Sequence, residues 1–440
     1  MANRLLSAWM TNVKALQAFH IMRQGAVLAV AVLLAKSGLS TDDIGIYEKL
    51  LYIGFLLSAF WISGLTQGLL SLFPKLEPSE RPVFLWDTYL FLTGLGLLLL
   101  GICLFFERQV LLVLTSAPDL PYYRLFIWYL AIQLPAFLLE NVYLLKDKPM
   151  SNFRFGIFSG LGYLLAVALP PFMGLDFRWS FYGLIGLAVI KHIWLITCLL
   201  GIGKPGYDRR IMSRWLMLSW PLVGYALIAG LNQSLDGWLI SFQFPGNDHL
   251  FAVFRYGARE MPFVIAMTAA FSSAMIPLIS GDLASGMETL KVKSRKLFHL
   301  LFPPSIVLIL TSRWLIPLVF NRSFEESVPI FNMFILILIS RLVFSRTVMI
   351  ALDENKAALW ILLVEIGANL ILSWMLLQWI GLIGAAVGTV LAFTLEKILA
   401  AVYLYRKHGI SPGKYLDLPV FLGYSALLMI AFLAAFGVQS

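Results

Sequence analysis

Charge is scarce in this chain of 440 residues. Asp, Glu, Lys and Arg together supply 13% of it, against about 25% in a soluble domain, so a water-soluble enzyme and a disordered chain are both excluded. Cysteine is nearly absent: Cys103 and Cys198 are the two present, both inside apolar runs, and no disulfide scaffold is expected. There is no G-x-x-x-x-G-K-[ST] loop for nucleotide hydrolysis, no H-E-x-x-H and no Cys/His cluster spaced for a metal. Polar stretches are short and leave no room for a soluble catalytic domain, so the chain is not expected to be an enzyme or to need a cofactor or metal. Residues 1–17 lack a short apolar block followed by a small-residue cleavage site, and no secretory leader is expected.

What fills the chain instead is apolar sequence: 60% hydrophobic residues and a mean hydropathy of +0.84. A spanning helix needs about 20 mostly apolar residues. Such runs fall at 18–37, 45–73, 83–106, 122–145, 154–174 and 179–202, then at 215–242, 250–280, 297–320, 328–352, 357–379, 381–405 and 416–437. The expected fold is an all-α polytopic membrane protein with thirteen spans.

The net charge of +9 and isoelectric point near 9.4 would suggest nucleic acid in a soluble protein. Here the cations sort by side. With the N-terminus placed in the cytoplasm, nineteen Lys and Arg fall in cytoplasmic segments. Six fall opposite (Lys36, Arg108, Arg124, Arg178, Arg313 and Arg322). That bias is the positive-inside pattern and predicts a multi-pass protein of a bacterial cytoplasmic membrane, with no nucleic-acid partner.

The longest basic break, residues 201–214 (GIGKPGYDRRIMSR), divides the chain. It predicts an N-terminal six-helix lobe over 1–205, a C-terminal six-helix lobe over 206–410 and an additional helix in 411–440. The halves echo each other: Asp43 precedes the second helix and Pro74 ends it, while Asp248 and Pro277 bracket the eighth. Repeats of this kind are a transporter architecture in which the substrate site lies between pseudo-symmetric lobes, around a central cavity.

Ionisable side chains inside a bilayer cost at least about 2.5–3.5 kcal/mol each on insertion scales, so they mark cavities or partners. The first helix carries Gln17, His20, Arg23 and Gln24 at spacings of three, four and seven, on one side of the helix. Either a cation presented to an anion or a snorkelling helix end fits that pattern. Lys49 stands early in the second helix. In the eighth, Arg255 and Arg259 are one turn apart, followed by Glu260 and Pro262. Two guanidiniums on one face suit a diphosphate, and an ion pair to Asp236 or Glu260 is the structural alternative. Pro262 is expected to kink this helix. The seventh helix supplies Asn232, Gln233 and Asp236, suited to a coupling cation, to sugar hydroxyls or to interhelical hydrogen bonding. Arg341 in the tenth helix and Glu365 and Asn369 in the eleventh suit an intramembrane ion pair. In all, eight intramembrane cations (these, Lys191, Arg346 and Lys397 among them) face six acids (Glu48, Glu140, Asp236, Glu260, Glu365 and Glu396). A mildly cationic interior fits an anionic cargo.

Several segments carry a family resemblance. Residues 25–76, with Gly45-Ile46-Tyr47 and the Pro-ended second helix, resemble the opening of polysaccharide flippases. Residues 220–280, with Pro221, Asp236 and Pro277, resemble their second-half opening. LIPLVFNRSFEESVPIF and EIGANLILSWMLLQWIGLIGAAVGTVLAF, with Asn369, Gly381 and Gly384, match later signatures. Together these cover about 400 residues in order. The chain is thereby identified as resembling the O-antigen and exopolysaccharide flippases of the multidrug/oligosaccharidyl-lipid/polysaccharide exporter superfamily.

The resemblance implies two lobes around a cavity, alternating access, and a polyprenyl-diphosphate-linked oligosaccharide turned across the inner membrane for polysaccharide (lipopolysaccharide or exopolysaccharide) biosynthesis. Lipid II flippases of the superfamily place diphosphate-holding cations in the first, second and eighth helices. Arg23, Lys49 and Arg255, with Arg259, stand in those helices here; His20, Gln24, Asn232, Gln233 and Asp236 are the implied polar or coupling-ion groups. Membrane lipids, a glycan polymerase and glycosyltransferases of the same pathway are the implied partners. A cation-coupled drug or metabolite antiporter of the same superfamily is the alternative, for which acids should dominate the cavity. A membrane glycan polymerase or ligase would need a large outer loop that the sequence lacks.

Overall fold

In hydrocarbon each backbone N–H and C=O must be satisfied within the chain, which leaves the helix as the means for a single segment to cross. The computed structural model describes residues 12–203, 205–259 and 261–437, and it contains helices and no strand among them. Among the described residues thirteen helices are long and apolar enough to cross a membrane. They are Gln17–Lys36, Thr41–Lys75, Arg81–Phe105, Tyr123–Leu145, Pro149–Phe172, Arg178–Leu200, Arg209–Gln243, Phe263–Gly281, Leu283–Val319, Ser327–Ala351, Asn355–Ile380, Leu382–His408 and Leu418–Phe436, here the first to thirteenth spans. The chain is a multi-pass, all-α membrane protein, with the number of spans read from the sequence. Most of the segment read as lacking a leader (residues 1–11) and Glu260 lie outside the described residues.

Two spans differ from expectation. The eighth was read as one kinked helix over 250–280, with Arg255 and Arg259 on one face. The chain forms two helices there, Asp248–Gly257 and Pro262–Gly281, and Arg259 lies in neither. Pro262 lacks the N–H that would continue the ladder, and in an unbroken helix a proline ring clashes with the carbonyl four residues back. The residue before a proline is also driven from α geometry, and Met261 is extended at φ −67°, ψ 112°. The proline therefore starts a new helix instead of bending an old one. The ninth span begins at Leu283, fourteen residues before the apolar run at 297. Its opening turns (LASGMETLKVKSRK) are helical and are capped by Asp282, whose side chain accepts from the N–H groups of Ala284 and Ser285.

Contacts divide the chain into two compact units, Met1–Ser234 with Pro245–Asp248, and Leu235–Phe244 with His249–Ser440. The first runs past the polar break at 201–214 because the start of the seventh span is anchored in it. Trp215 is fully buried, donates to Leu65 O at 3.1 Å and meets Phe84 and Phe91 edge-on. Asp87 in the third span accepts from the Asp208 N–H at 3.0 Å.

In the second unit, Tyr256 stacks on Phe324 with ring centroids 4.2 Å apart. The last span is tied to the ninth through His299 and Phe302, which meet Tyr424. Glu354, in the turn between the tenth and eleventh spans, receives Lys407 at 2.7 Å, Tyr403 at 2.6 Å and His408 at 2.9 Å. The Lys407 and Tyr403 hydrogen bonds hold its carboxyl down to about 2.

The eleventh and twelfth spans touch along Gly384 and Gly388, four residues apart. A Cβ at Gly384 would run into the Leu376 carbonyl, and one at Gly388 into the Ser373 backbone. Small residues at this spacing let helix backbones close up in lipid. Gly388→Leu is expected to force these helices apart, at about 1–3 kcal/mol for overpacking, and to lower the thermal midpoint of the detergent-solubilised protein. Gly388→Ala is expected to do less. An unchanged midpoint for both would contradict the close approach.

Candidate functional site

Arg23 is carried on the first span by a helix whose next turns, Ala26 and Val30, are buried and fix its rotation. Its guanidinium lies 6.0 Å from the Phe19 ring centroid, and Phe19 stacks on Phe155 of the fifth span. That rotation turns Arg23 into a cavity of about 200 Å³ inside the first unit. Gln133 and Glu140 of the fourth span, Ser159 and Tyr163 of the fifth and Lys191 of the sixth share its wall. Tyr163 pairs by hydroxyl with Tyr47 of the second span. Gln133 and Glu140 are seven residues apart and Ser159 and Tyr163 four, so each span offers one polar stripe.

The electrostatics are set by burial. Lys191 is 8% exposed and Gln133 7%; Gln133 Oε1 and Ser159 Oγ are buried without a hydrogen-bond partner. Each such group is costly unless something polar meets it. Arg23, Glu140 and Lys191 are close enough for their charges to interact. Two cations against one carboxylate leave the cavity positive. Its volume equals that of six or seven waters at about 30 Å³ each, below the about 300–1,000 Å³ of pockets for drug-sized ligands. It suits a headgroup-sized anion, with anything larger outside it.

The other expected residues are dispersed. His20 and Gln24 are exposed and do not line the cavity. Lys49, 1% exposed, pairs with Asp248 at 2.5 Å and is held by that carboxylate away from the cavity wall. Arg255 is partly buried in the last turn of Asp248–Gly257. Arg259 lies over the Tyr256 ring at 4.7 Å. Arg259 and Arg341 share a cleft of about 20 Å³, room for about one water. Asn232 is partly buried and Gln233 exposed. Glu365 is 2% exposed.

A second cluster forms inside the second unit. Thr389 Oγ1 of the twelfth span lies 2.9 Å from each Asp236 carboxylate oxygen and 3.2 Å from Asn369 Oδ1. Ser373 Oγ lies 2.7 Å from Asn369 Oδ1 and 3.1 Å from Ala385 O. Two hydroxyl donors thus stand among four acceptor oxygens, two of Asp236 and one each of Asn369 and Ala385. An all-oxygen set rich in lone pairs is the donor chemistry of a hard cation. Asp236 and Asn369 were singled out in the sequence separately, and the structure brings them together. Lys191 and Glu140 were visible as intramembrane charges but not as partners of Arg23. Gln133, Ser159, Thr389 and Ser373 were missed, as was Asp87, a further acid within a span. Helical spacing marks the first two, whereas the others declare themselves through contacts between spans.

No family model and no curated protein matches the sequence. Among solved structures, the chain is similar to the lipid II flippase MurJ in an inward closed conformation, with a TM-score of 0.69, 15% identity, and 94% of this chain and 91% of that one covered. It is similar to an inward-facing multidrug resistance MATE family transporter of the MOP superfamily, with a TM-score of 0.65, 13% identity, and 95% and 99% covered. A MOP superfamily transporter from Pyrococcus furiosus, described as having a binding pocket of reverse polarity, gives a TM-score of 0.58, 11% identity, and 89% and 95% covered. The chain therefore has the fold of MOP-superfamily transporters along nearly its whole length.

Lys49→Ala strands the Asp248 carboxylate. Breaking a fully buried pair costs about 3–5 kcal/mol; Asp248 keeps 17% exposure, so a smaller loss is expected. The thermal midpoint of the purified protein should fall, and Asp248→Ala in the same chain should recover part of it. Equal midpoints for wild type and Lys49→Ala would show the pair to be inert.

Proposed function

We propose that the chain is an alternating-access flippase that carries a polyprenyl-diphosphate-linked oligosaccharide across the bacterial cytoplasmic membrane for polysaccharide biosynthesis. The observation that supports this most is the positive cavity of the first unit. A guanidinium and a buried ammonium, Arg23 and Lys191, line a space of headgroup size, and charge-assisted bonds from such groups are what a diphosphate takes. The fold shared with a lipid II flippase points the same way. Transport of this kind is reorientation without covalent change, so an enzyme is not invoked. With the N-terminus in the cytoplasm, the basic segments would gather anionic headgroups before loading. Glycosyltransferases and a glycan polymerase would act before and after the flip.

The oxygen cluster around Asp236 supports a coupling cation, bound by Asp236, Asn369, Ser373 and Thr389. Read alone, that cluster and the likeness to a MATE transporter favour a cation-coupled drug antiporter instead. The polarity of the first unit's cavity weighs against a cationic cargo there, since it would meet two cations and one carboxylate.

Purified protein in liposomes with a fluorescent polyprenyl-diphosphate oligosaccharide tests the choice. Wild type is expected to flip the lipid, and Arg23→Ala and Lys191→Ala to lose about 10–100-fold in rate, the worth of a charged hydrogen bond at about 1.5–3 kcal/mol. Unchanged rates in both variants would remove the cavity from the mechanism. Dye export with no lipid movement would make the chain a drug antiporter.

A further inference from the structure

Glu140 faces the cavity from the fourth span, and its surroundings set a charge problem for any anion that enters. The cavity it lines carries Arg23 from the first span, Tyr163 and Ser159 from the fifth, Lys191 from the sixth, Tyr129 and Gln133 from its own span and the apolar Leu51 from the second, with Tyr47 of the second span paired to Tyr163. It is thus the one carboxylate lining a wall that also carries two cations. Before cargo arrives it is the internal counter-ion that makes burial of Lys191 tolerable.

A diphosphate esterified at both ends carries one negative charge on each phosphorus. Set beside Arg23 and Lys191 with Glu140 ionised, it leaves the enclosed cavity with one negative charge in excess. With Glu140 protonated, two anionic phosphates meet two cations and the charges cancel. Like charges a few ångströms apart in a poorly solvated site do not both stay ionised, and the weaker acid takes the proton. The diphosphodiester is the far stronger acid, so the proton settles on the Glu140 carboxyl.

Building on the proposed diphosphate cargo, we infer that Glu140, which lines the same cavity as Arg23 and Lys191, takes up one proton from water as the diphosphate binds. No covalent bond changes: one carboxylate oxygen gains a proton, and the group turns from an acceptor into an O–H donor that a phosphate oxygen can accept. Glu140 thereby also discriminates by charge, since a monoanion would be balanced with the carboxylate still ionised and would bind without proton uptake.

Isothermal titration of the full-length protein in detergent with farnesyl diphospho-N-acetylglucosamine, whose two phosphates are both diesters, reads this directly. Repeating it in buffers of different ionisation enthalpy gives the protons exchanged. Wild type is expected to take up a proton as the ligand binds, with affinity falling as pH rises, by up to about tenfold per pH unit. Glu140→Gln is expected to exchange none, to lose the pH dependence and to bind at least as tightly as wild type. Wild type alone decides the matter if that variant fails to fold. Binding without proton uptake, or uptake that persists in Glu140→Gln, overturns the inference and leaves the diphosphate site standing. No binding to wild type, or full affinity retained in Lys191→Gln, overturns the diphosphate site itself.

Discussion

An ammonium group taken out of water must find a counter-charge or a cargo, and Lys191 meets that constraint in the wall of a cavity. It is nine-tenths buried on the sixth span, in a wall it shares with Arg23 and Glu140. A cavity meant only for packing would be lined with leucine at these positions, which would be neutral or stabilising in place of buried charge. Retaining two cations and one acid here is explicable by what they bind. On the proposed reading, the excess positive charge would attract phosphate and repel a cationic drug.

The first unit is arranged so that this wall is rigid. The first span is pinned by Phe19 on Phe155, the second by Lys49 on Asp248, and the start of the seventh by Trp215. The Tyr47–Tyr163 pair joins the second and fifth spans beside the cavity. The second unit places its polar groups differently. The glycine contact between the eleventh and twelfth spans lets the backbones approach until Asn369, Ser373 and Thr389 share hydrogen bonds with Asp236. The cavity of the first unit thus brings together Arg23, Glu140 and Lys191, and the cluster of the second brings together side-chain oxygens.

Much of the fold was legible in the sequence because a crossing helix announces itself in composition: about 20 apolar residues have no other stable place. Boundaries failed where helix and membrane part company. The opening turns of the ninth span are largely polar, so hydropathy read them as loop although Asp282 caps them as helix. At Pro262 the helix broke where a kink was expected, which took Arg259 off the face it was to share with Arg255. Arg23 was legible because its neighbours lie on the same helix. The association of Arg23 with Glu140 and Lys191 was not, because it joins positions more than a hundred residues apart that only packing brings together. The same holds for Asp236 and Thr389.

The central claim is that the cavity between the first, fourth, fifth and sixth spans holds a diphosphate. It is tested most directly by an electron cryomicroscopy structure of the protein bound to a polyprenyl-diphosphate sugar. Density for both phosphorus atoms is expected between the Arg23 guanidinium and the Lys191 ammonium, with the sugar outside the cavity. Phosphate density elsewhere in the chain, with that cavity filled by water, would contradict it.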